Sequence, residues 1–411
     1  MKKFKYLIIG GGIAGTTAAE TIRQNDKSGS IAIVKDEPYP LYSRVMLSKR
    51  DFYSPEGENK IWLKTPDWYV KENIEFFAGR KAVNLDANKK IVCLDNKDEI
   101  EYEKLLIATG SCARKWAIPG SDKKGVFSLR VLNDAKAIKE KMKTVKKAVA
   151  IGGGFISFEM CDLLRQFNID TTLILREPYY WEPVLDKNEA TVVEDALTTN
   201  GVKILKNSEV NEVIGNELVA GVVLKDGTKI DCDMIIAGIG VICFVDWLKI
   251  AGLQTNQGVL VNEYLETNIA DVWTAGDVAE FNDLILEETV QLGNWLNSQQ
   301  QGRIAGLNMA GNKTPFRLVS SYSTKGFGTT ISFVGDVRPE AGRTMISRGV
   351  SSSKSWARII VKDGEIVGAT LINFIPELHL ISKLIEIDFK ISGYESELTD
   401  PNFDLKKLIQ L

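Results

Sequence analysis

The sequence predicts an α/β protein with two Rossmann-like dinucleotide-binding domains and a small α+β domain at the C-terminal end. Two glycine-rich turns each follow a short apolar run and precede a stretch of helical composition. The first reads YLIIGGGIAGTTAAE at 6–20, and the second reads AVAIGGGFISFE at 148–159. Strand, glycine turn and helix in this order form the nucleotide-binding half of a parallel α/β sheet. A hairpin pattern at 357–372 and a helical pattern at 378–387 predict the smaller domain.

Composition and charge limit the classes of protein to which the chain can belong. Its 411 residues, 44% of them hydrophobic, are enough for two or three packed domains. A formal net charge of −3 gives no general attraction to nucleic acid. No run reaches the ~18 apolar residues that a membrane-spanning helix needs. The apolar run near the N-terminus, Tyr6 to Ile9, is too short for a signal sequence, so we expect a cytoplasmic protein with no membrane span.

Cysteine and histidine usage argues against a disulfide framework and against a metal site. The cysteines are odd in number and widely spaced, which predicts reduced thiols: Cys93, Cys112, Cys161, Cys232 and Cys243. The single histidine is His379, so neither a histidine-rich metal site nor Ser-His-Asp hydrolysis is expected.

Each glycine of the first turn has a separate mechanical task. Gly10 allows the tight turn, Gly12 lets the backbone approach a pyrophosphate, and Gly15 lets the helix pack close to its strand. The helix N-terminus then presents free N–H groups to the phosphates. Asp36 and Glu37 lie about 20 residues beyond the last glycine, where a carboxylate binds the ribose hydroxyls.

The second turn predicts a second dinucleotide unit. Gly152 and Gly154 keep the first two places, and Ser157 takes the third, which predicts slightly looser packing of helix on strand. A second strand follows at 170–175 and ends at Arg176-Glu177. A dehydrogenase needs only one such unit. Two units therefore predict two nucleotides, one held permanently, such as FAD, and one that exchanges, such as NAD(P)H.

Two further stretches fit a bound cofactor. YEKLLIATGS at 102–111 is an apolar strand that runs into Ala108-Thr109-Gly110. NIADVWTAGDVAEF at 268–281 brings Asp277 beside Gly276, where a carboxylate could accept hydrogen bonds from flavin ribityl hydroxyls. Small residues around both turns permit close approach of the backbone to a cofactor.

In their order and spacing, GGGIAG, LYSRVMLSKR, LLIATGSCAR, AIGGGFISFE, AGIG and TAGDVAEF resemble the flavoproteins of the pyridine nucleotide–disulfide oxidoreductase superfamily. Within it the chain is most similar to the branch of ferredoxin and rubredoxin reductases and apoptosis-inducing factor. The resemblance implies an FAD-binding domain split between 1–112 and 243–311. It also implies an NAD(P)-binding domain at 113–242 and a C-terminal α+β cap or interface domain at 313–411.

The resemblance also implies which residues contact the cofactors. On the FAD side they are Gly10, Gly12, Ala14, Gly15, Asp36, Glu37, Arg44, Lys49, Val83, Ala108, Thr109, Gly110, Arg114, Gly276, Asp277, Gly293, Asn294 and Trp295. On the side of the exchanging nucleotide they are Gly152, Gly154, Phe155, Ile156, Glu159, Arg176, Glu177 and Gly238.

Lys49 and Glu159 are the expected catalytic residues. In similar proteins the residues at these positions form a pair beside flavin N5, where the cation stabilises electron density that arrives on the ring. Phe155 would lie where the nicotinamide enters. Because 155 and 159 are spaced i and i+4, their side chains share one face of the helix.

The absence of a cysteine early in the sequence separates this chain from the disulfide reductases of the superfamily. Those proteins carry one or two cysteines early in the chain, whereas 40–48 here reads PLYSRVMLS. A thiol relay needs a thiolate at the flavin. The resemblance therefore implies an FAD-dependent NAD(P)H oxidoreductase that passes electrons to an external acceptor such as ferredoxin or rubredoxin. The alternatives are an NAD(P)H oxidase or quinone reductase, with quinone or oxygen as acceptor, and a redox-sensing flavoprotein subunit; a homodimer is also possible.

The choice between NADH and NADPH depends on two adjacent residues. Arg176 stands where it could bind a 2′-phosphate, which would favour NADPH. Glu177 could instead bind the 2′- and 3′-hydroxyls and repel that phosphate. The sequence favours NADH by a small margin.

Overall fold

The computed structural model describes residues 1–338, 340, 342–349 and 354–409. The chain divides into two compact units, each made of three stretches. Unit 1 comprises Met1–Ser43, Glu58–Cys112 and Val241–Ser320. Unit 2 comprises Arg44–Gly57, Ala113–Gly240 and Ser321–Leu411. The division into an FAD domain, an NAD(P) domain and a C-terminal domain stays a prediction.

The strands of the described residues are, in chain order, β1 Lys2–Ile9, β2 Ile31–Lys35, β3 Ile74–Ala78, β4 Ala82–Asp86, β5 Ile91–Leu94, β6 Glu99–Ile107, β7 Cys112–Ala113, β8 Val126–Phe127, β9 Lys147–Ile151, β10 Asp170–Ile174, β11 Val202–Leu205, β12 Val210–Ile214, β13 Gly221–Leu224, β14 Lys229–Asp231, β15 Met234–Ala237, β16 Val241–Ile242, β17 Val259–Val261, β18 Val272–Thr274, β19 Ala279–Asp283, β20 Glu288–Val290, β21 Ser321–Gly326, β22 Thr329–Gly335, β23 Arg343–Gly349, β24 Trp356–Lys362 and β25 Glu365–Ile372.

The α-helices of the same residues are α1 Ile13–Asn25, α2 Arg50–Tyr53, α3 Pro66–Lys71, α4 Leu132–Met142, α5 Phe155–Gln166, α6 Lys187–Thr199, α7 Asp246–Ile250, α8 Trp295–Met309, α9 Ile375–Glu386, α10 Glu395–Thr399 and α11 Lys406–Ile409. Two short 3₁₀ helices span Arg44–Ser48 and Gly57–Lys60.

A mixed sheet with the strand order β3-β2-β1-β6-β5-β4 forms the centre of unit 1. β1 pairs in parallel with β2 and with β6, and β18 pairs in parallel with the end of β6. Tyr6–Ile9 and Ile31–Val34 are buried throughout. Continuous apolar strands of this kind are typical of parallel sheets that are covered on both faces. A second sheet of unit 1 has the order β17-β19-β20.

Helices α1 and α8 pack together without bulky side chains between them. A Cβ at Gly302 would lie 2.2 Å from Ala14 O, and one at Gly306 would lie 2.8 Å from Ala18 O. Such separations are shorter than real Cβ contacts, so both positions require glycine. This close packing fixes the N-terminal end of α1, where the first glycine turn lies.

Unit 2 contains a parallel sheet with the strand order β11-β10-β9-β15-β8. Helix α5 follows β9 through the second glycine turn, and β10 follows α5. This is the strand–turn–helix–strand order that the sequence predicts. An antiparallel sheet of β12, β13 and β14 adjoins it in the chain.

The C-terminal part of unit 2 is an antiparallel sheet with the order β21-β22-β25-β24-β23. The predicted hairpin is confirmed: Lys362 pairs with Glu365 across a two-residue loop. Asp363 and Gly364 have φ values of 51° and 80°. Positive φ at both loop positions is the signature of a type I′ turn, which Asp-Gly favours. The predicted helix at 378–387 is observed as α9.

Arg348 ties the end of the described chain to this sheet. Its side chain is fully buried on β23 and makes three hydrogen bonds to the carboxylate of Glu377, at 2.8, 2.9 and 3.2 Å. It also donates to the backbone oxygens of Glu397, at 3.1 Å, and Phe403, at 2.7 Å. A buried guanidinium is stable only when its donors are satisfied in this way.

We expect Arg348→Leu to destabilise the protein by about 3–5 kcal/mol, because removing one partner leaves the Glu377 carboxylate and several carbonyls without donors. Urea unfolding monitored by circular dichroism measures the change. The control is Lys390→Ala, which removes an exposed ion pair with Glu365 and is expected to leave the unfolding midpoint in place. Equal midpoints for Arg348→Leu and the control would contradict the assignment.

Candidate functional site

The first glycine turn is shaped by close backbone contacts. Gly10 has φ +114°, and a Cβ there would lie 2.0 Å from Ala108 O. A Cβ at Gly15 would lie 1.9 Å from Gly10 O. A Cβ at Gly12, in contrast, would have no neighbour within 4 Å. Gly10 and Gly15 are thus required by the fold, whereas bare backbone at Gly12 faces open space at the start of α1.

A second turn of unit 1 meets the N-terminal end of α1. Gly276 has φ +87°, and a Cβ there would lie 3.1 Å from the Cβ of Ala14. The side-chain oxygen of Gln301 accepts a hydrogen bond from Gly276 N at 2.8 Å. Ala14 is buried. The structure therefore brings the GD motif at 276–277 to the first glycine turn, although about 260 residues separate them in sequence.

Asp277 is held by hydroxyl groups from two other segments. Its Oδ2 accepts a hydrogen bond from Ser111 at 2.7 Å, and its Oδ1 accepts one from Ser298 at 3.1 Å. Because Ser111 directly follows Gly110, the turn formed by the exposed Thr109 and the half-buried Gly110 lies beside Asp277. A Cβ at Gly293 would lie 3.3 Å from Asp277 Cγ. These contacts fix the carboxylate in one orientation.

Sequence reasoning did not identify Ser111, Ser298 or Gln301. Ser111 directly follows the predicted cofactor turn Ala108-Thr109-Gly110, so its position in the sequence could have indicated it. Ser298 and Gln301 lie on α8, and only the fold brings them to residues 276–277.

The two expected ribose-binding carboxylates have different surroundings. Asp36 is exposed directly after β2, and its Oδ1 accepts a hydrogen bond from Glu37 N at 2.9 Å. Glu37 is buried and accepts a 2.6 Å hydrogen bond from the hydroxyl of Tyr42. Its other oxygen lies 3.9 Å from Lys35 Nζ. Asp36 is therefore the more accessible of the two.

The remaining predicted residues of unit 1 lie in two places. Val83 is 47% exposed on β4, at the end of the strand order opposite β3. Asn294 caps α8, because its Oδ1 accepts from Asn297 N at 2.9 Å and its Nδ2 donates to Ser320 at 2.8 Å. Trp295 is the first residue of α8 and is half-buried. The side chain of Asn294 is thus already engaged in the helix cap.

The second glycine turn, in unit 2, repeats the geometry of the first. Gly152 has φ +96°, and a Cβ there would lie 2.5 Å from Gly238 O. A Cβ at Gly154 would have no neighbour within 4 Å, as at Gly12. Ser157 Oγ donates to Ile151 O at 3.0 Å, and a Cβ at Gly238 would lie 2.3 Å from that Oγ. The larger serine at the third place is accommodated because residue 238 is glycine.

Arg176 and Glu177 pair with each other at the end of β10. Arg176 Nε donates to Glu177 Oε1 at 2.5 Å. This hydrogen bond raises the pKa of the Arg176 guanidinium above its ordinary value. The Arg176 side chain is 79% exposed, whereas that of Glu177 is 23% exposed. The two residues that compete in the choice of nucleotide thus form one ion pair.

Lys49 and Glu159 also form an ion pair. Lys49 Nζ donates to Glu159 Oε1 at 2.6 Å, and the Glu159 side chain is 11% exposed. The same carboxylate accepts hydrogen bonds from the hydroxyls of Ser48 and Thr324. Sequence reasoning identified the pair but neither hydroxyl; Ser48 adjoins Lys49, whereas Thr324 lies 165 residues from Glu159 in the sequence. Three donors therefore orient one carboxylate.

Phe155 begins α5 and is enclosed by aromatic rings. Its ring centroid lies 4.3 Å from that of Trp181, 5.1 Å from that of Tyr322 and 5.6 Å from that of Phe333. All three contacts are edge-to-face, the arrangement that aromatic rings prefer. Ile156, the next residue, is half-buried. Phe155 and Glu159 lie on the same helix face, as their spacing predicts.

Two of the arginines that the sequence predicts to contact FAD, Arg44 and Arg114, lie in unit 2. Arg44 lies in the first 3₁₀ helix and donates to Arg130 O at 2.8 Å. Arg114 is exposed, and its backbone N donates to Gly240 O at 3.0 Å. The backbone of Arg114 thus adjoins the segment that contains Gly238.

The residues present fit two dinucleotides. Each unit has a bare backbone position at a helix N-terminus, Gly12 in one and Gly154 in the other, where a Cβ would occupy the space open to a phosphate.

Among the described residues no group of three or more histidine, cysteine and acidic side chains could hold a metal ion. Within the same residues, no helix is long and apolar enough to cross a bilayer.

Known proteins of one family are similar to this chain over most of its length. The model described as pyridine nucleotide-disulphide oxidoreductase matches residues 4–302, and the model described as reductase C-terminal matches residues 324–409. The NADH-rubredoxin oxidoreductase of Clostridium acetobutylicum is 32% identical over 82% of this chain and 83% of its own. The NAD(P)H nitrite reductase of Bacillus subtilis is 28% identical over 95% of this chain, which spans 48% of that longer protein.

A solved structure agrees in fold over nearly the whole chain. The ferredoxin reductase for the CYP199A2 system from Rhodopseudomonas palustris superposes with a TM-score of 0.91. It is 26% identical, and the match covers 98% of this chain and 99% of that one.

We expect Gly12→Ala and Gly154→Ala to have separable effects. Both positions have negative φ and space for a methyl group, so both variants should fold. Gly12→Ala should abolish FAD binding, which absorbance at the flavin band measures. Gly154→Ala should remain yellow but bind NAD⁺ about tenfold more weakly, because a charged hydrogen bond to phosphate contributes about 1.5–3 kcal/mol.

Each variant is the matched control of the other. Loss of FAD from Gly154→Ala, or normal FAD content in Gly12→Ala, would show that the two glycine turns are assigned to the wrong nucleotides.

Proposed function

This chain belongs to the pyridine nucleotide-disulphide oxidoreductase family, and we propose that it transfers electrons from NADH to a small iron-containing carrier protein of the ferredoxin or rubredoxin kind. It is an NAD(P)H-dependent oxidoreductase with FAD as its bound cofactor. When bound, FAD supplies the redox chemistry, because it accepts a hydride from NAD(P)H and can release electrons singly.

The observation that carries the proposal is the presence of two glycine turns of one kind, which we call the two cradles. Two turns of the same geometry, at Gly10–Gly15 and at Gly152–Ser157, each expose bare backbone at the start of a helix. We assign the first to FAD and the second to the exchanging nucleotide, as the family resemblance implies. An enzyme that moves a hydride between two nucleotides needs one cradle for each.

In the first cradle, each residue has a role that its contacts support. The backbone at Gly12 and the free N–H groups of α1 bind the pyrophosphate. Asp277 accepts hydrogen bonds from cofactor hydroxyls, and Ser111 and Ser298 orient its carboxylate. Asp36 is exposed and available to a ribose.

We also propose that Lys49 and Glu159 keep the role that the resemblance implies, which is to hold a positive charge for the reduced cofactor. What supports this is preorganisation. Glu159 is fixed by Ser48 and Thr324 and in turn fixes the ammonium group of Lys49. A charge that is held in place before the reaction needs no reorganisation during it.

The cysteines support direct transfer to an external acceptor. All five are reduced thiols. Cys161 is fully buried, and burial raises the pKa of its thiol well above its ordinary value, so it is not a nucleophilic thiolate at neutral pH. Cys112 donates to the backbone oxygen of Ile242. No cysteine occurs in residues 40–48.

The acceptor is inferred from relatives of known activity. The protein from Clostridium acetobutylicum is named for rubredoxin and the structure from Rhodopseudomonas palustris for ferredoxin. NADH is the proposed donor because Glu177 is partly buried at the end of β10, and its carboxylate already neutralises Arg176. Reduced thiols and a small redox partner suit the cytoplasm, which we propose as the compartment.

The first test is the identity of the acceptor. We expect NADH to bleach the flavin band within milliseconds to seconds in a stopped-flow experiment, and rubredoxin or ferredoxin to restore it much faster than air does. Fast oxygen consumption without a carrier would instead indicate an oxidase, and fast reoxidation by a quinone alone would indicate a quinone reductase. Either result would overturn the proposed acceptor.

The second test concerns the catalytic pair. We expect Lys49→Met to slow flavin bleaching by NADH about 10²-fold, because one preorganised electrostatic group typically contributes about 2.7–4 kcal/mol. The matched control is Lys64→Met, which removes another Lys–Glu pair, with Glu20 at 2.8 Å. It should bleach at the wild-type rate. Equal rates for both variants would remove Lys49 from the mechanism.

A further inference from the structure

The segment between β10 and α6 passes over the second glycine turn. We call Pro178–Asp186 the aromatic strap; it reads PYYWEPVLD. A Cβ at Gly153 would lie 3.0 Å from the backbone N of Trp181. The strap and the cradle are therefore in direct contact, and both belong to unit 2.

Tyr180 connects the strap to the cradle. Its side chain is fully buried, and its hydroxyl donates to Gly154 O at 2.7 Å. The same oxygen accepts the first hydrogen bond of α5, from Phe158 N at 3.2 Å. Burial also raises the pKa of Tyr180 well above its ordinary value, so the hydroxyl keeps its proton over the working pH range.

The hydrogen-bonded carbonyl of Gly154 sets the orientation of the N–H group on the other side of the same peptide unit. The oxygen of Gly154 and the N–H of Phe155 belong to one planar peptide unit and point in opposite directions. The N–H of Phe155 is among the first donors of α5, which have no partner within the helix. Fixing the oxygen therefore fixes the direction of an N–H group that can meet a phosphate.

The strap is itself held in place at several points. Tyr180 N donates to Glu194 Oε1 on α6 at 2.8 Å, and Arg358 donates to Val184 O. Trp181 has φ +61°, which is an outlier for so bulky a residue. Such a conformation persists only where the surrounding contacts determine it, and it is often found at ligand clamps.

We propose that Tyr180 is a positioning residue for the nicotinamide nucleotide: its hydroxyl holds the Gly154–Phe155 peptide so that the N-terminus of α5 is aligned with the pyrophosphate before the nucleotide binds. The inference rests on the proposed function, since it concerns the same nucleotide site. Tyr180 acts on the phosphate-binding end of that site and leaves the adenosine-binding end unchanged.

The test compares two ligands that differ only in the diphosphate. Oxidised holoenzyme is titrated calorimetrically with ADP and, separately, with adenosine. Tyr180→Phe removes the hydroxyl and keeps the ring, and it should weaken ADP binding about fivefold, which is the scale of one lost hydrogen bond. The affinity for adenosine should not change.

Tyr179→Phe is the matched control. It makes the same chemical change one residue earlier, where the hydroxyl interacts with Glu182. Its affinities for ADP and adenosine should equal those of the wild type. If Tyr180→Phe does not fold, Glu194→Ala replaces it, because this change removes the anchor of Tyr180 N and should weaken ADP binding selectively as well.

The outcomes separate the inference from the proposed function. Unchanged ADP affinity in the Tyr180 variant, or an equal loss for adenosine, would overturn the positioning role while the wild-type enzyme still binds ADP. Wild-type holoenzyme that binds neither ADP nor NAD⁺ would overturn the proposed function, and the inference with it.

Discussion

The fold depends on the close approach of bare backbone at the two glycine turns. At Gly10 a side chain would overlap the oxygen of Ala108, and at Gly152 it would overlap the oxygen of Gly238. These contacts let each turn lie directly against the residue that follows a neighbouring strand, β6 in the first case and β15 in the second. The start of each helix is thereby left accessible, which is the condition for binding a pyrophosphate. The contacts of Lys49 and Glu159, the proposed catalytic pair, lie outside the two turns.

The two turns meet the same requirement with different residues. In the first, Gly15 gives the helix its close approach to the strand. In the second, Ser157 stands at that place, and its bulk is offset by the glycine at 238. The sequence predicted looser packing at Ser157; in the structure Ser157 is fully buried and bonded to Ile151 O. The space that Ser157 needs is thus provided by a glycine 81 positions later in the chain.

Local features could be predicted from the sequence, and non-local ones could not. The strands and helices around both turns, the Asp-Gly hairpin and the Lys49–Glu159 pair follow from short patterns or from family motifs. The hydroxyls of Ser48 and Thr324 that orient Glu159 could not be foreseen, because Thr324 lies 165 residues from its partner. The same holds for Tyr180, whose hydrogen-bond partner Gly154 lies 26 residues away. Such contacts are decided by tertiary packing, which no local pattern encodes.

The interleaving of the two units has a consequence for synthesis on the ribosome. Unit 1 begins at the N-terminus but needs α8, which ends at Met309, to cover α1. At typical elongation rates of ~5–20 residues per second, the nascent chain carries the apolar strands β1 and β2 for tens of seconds before that helix exists. FAD can therefore bind only late in biogenesis. Until then, the early strands depend on proteins that bind the nascent chain for protection from aggregation.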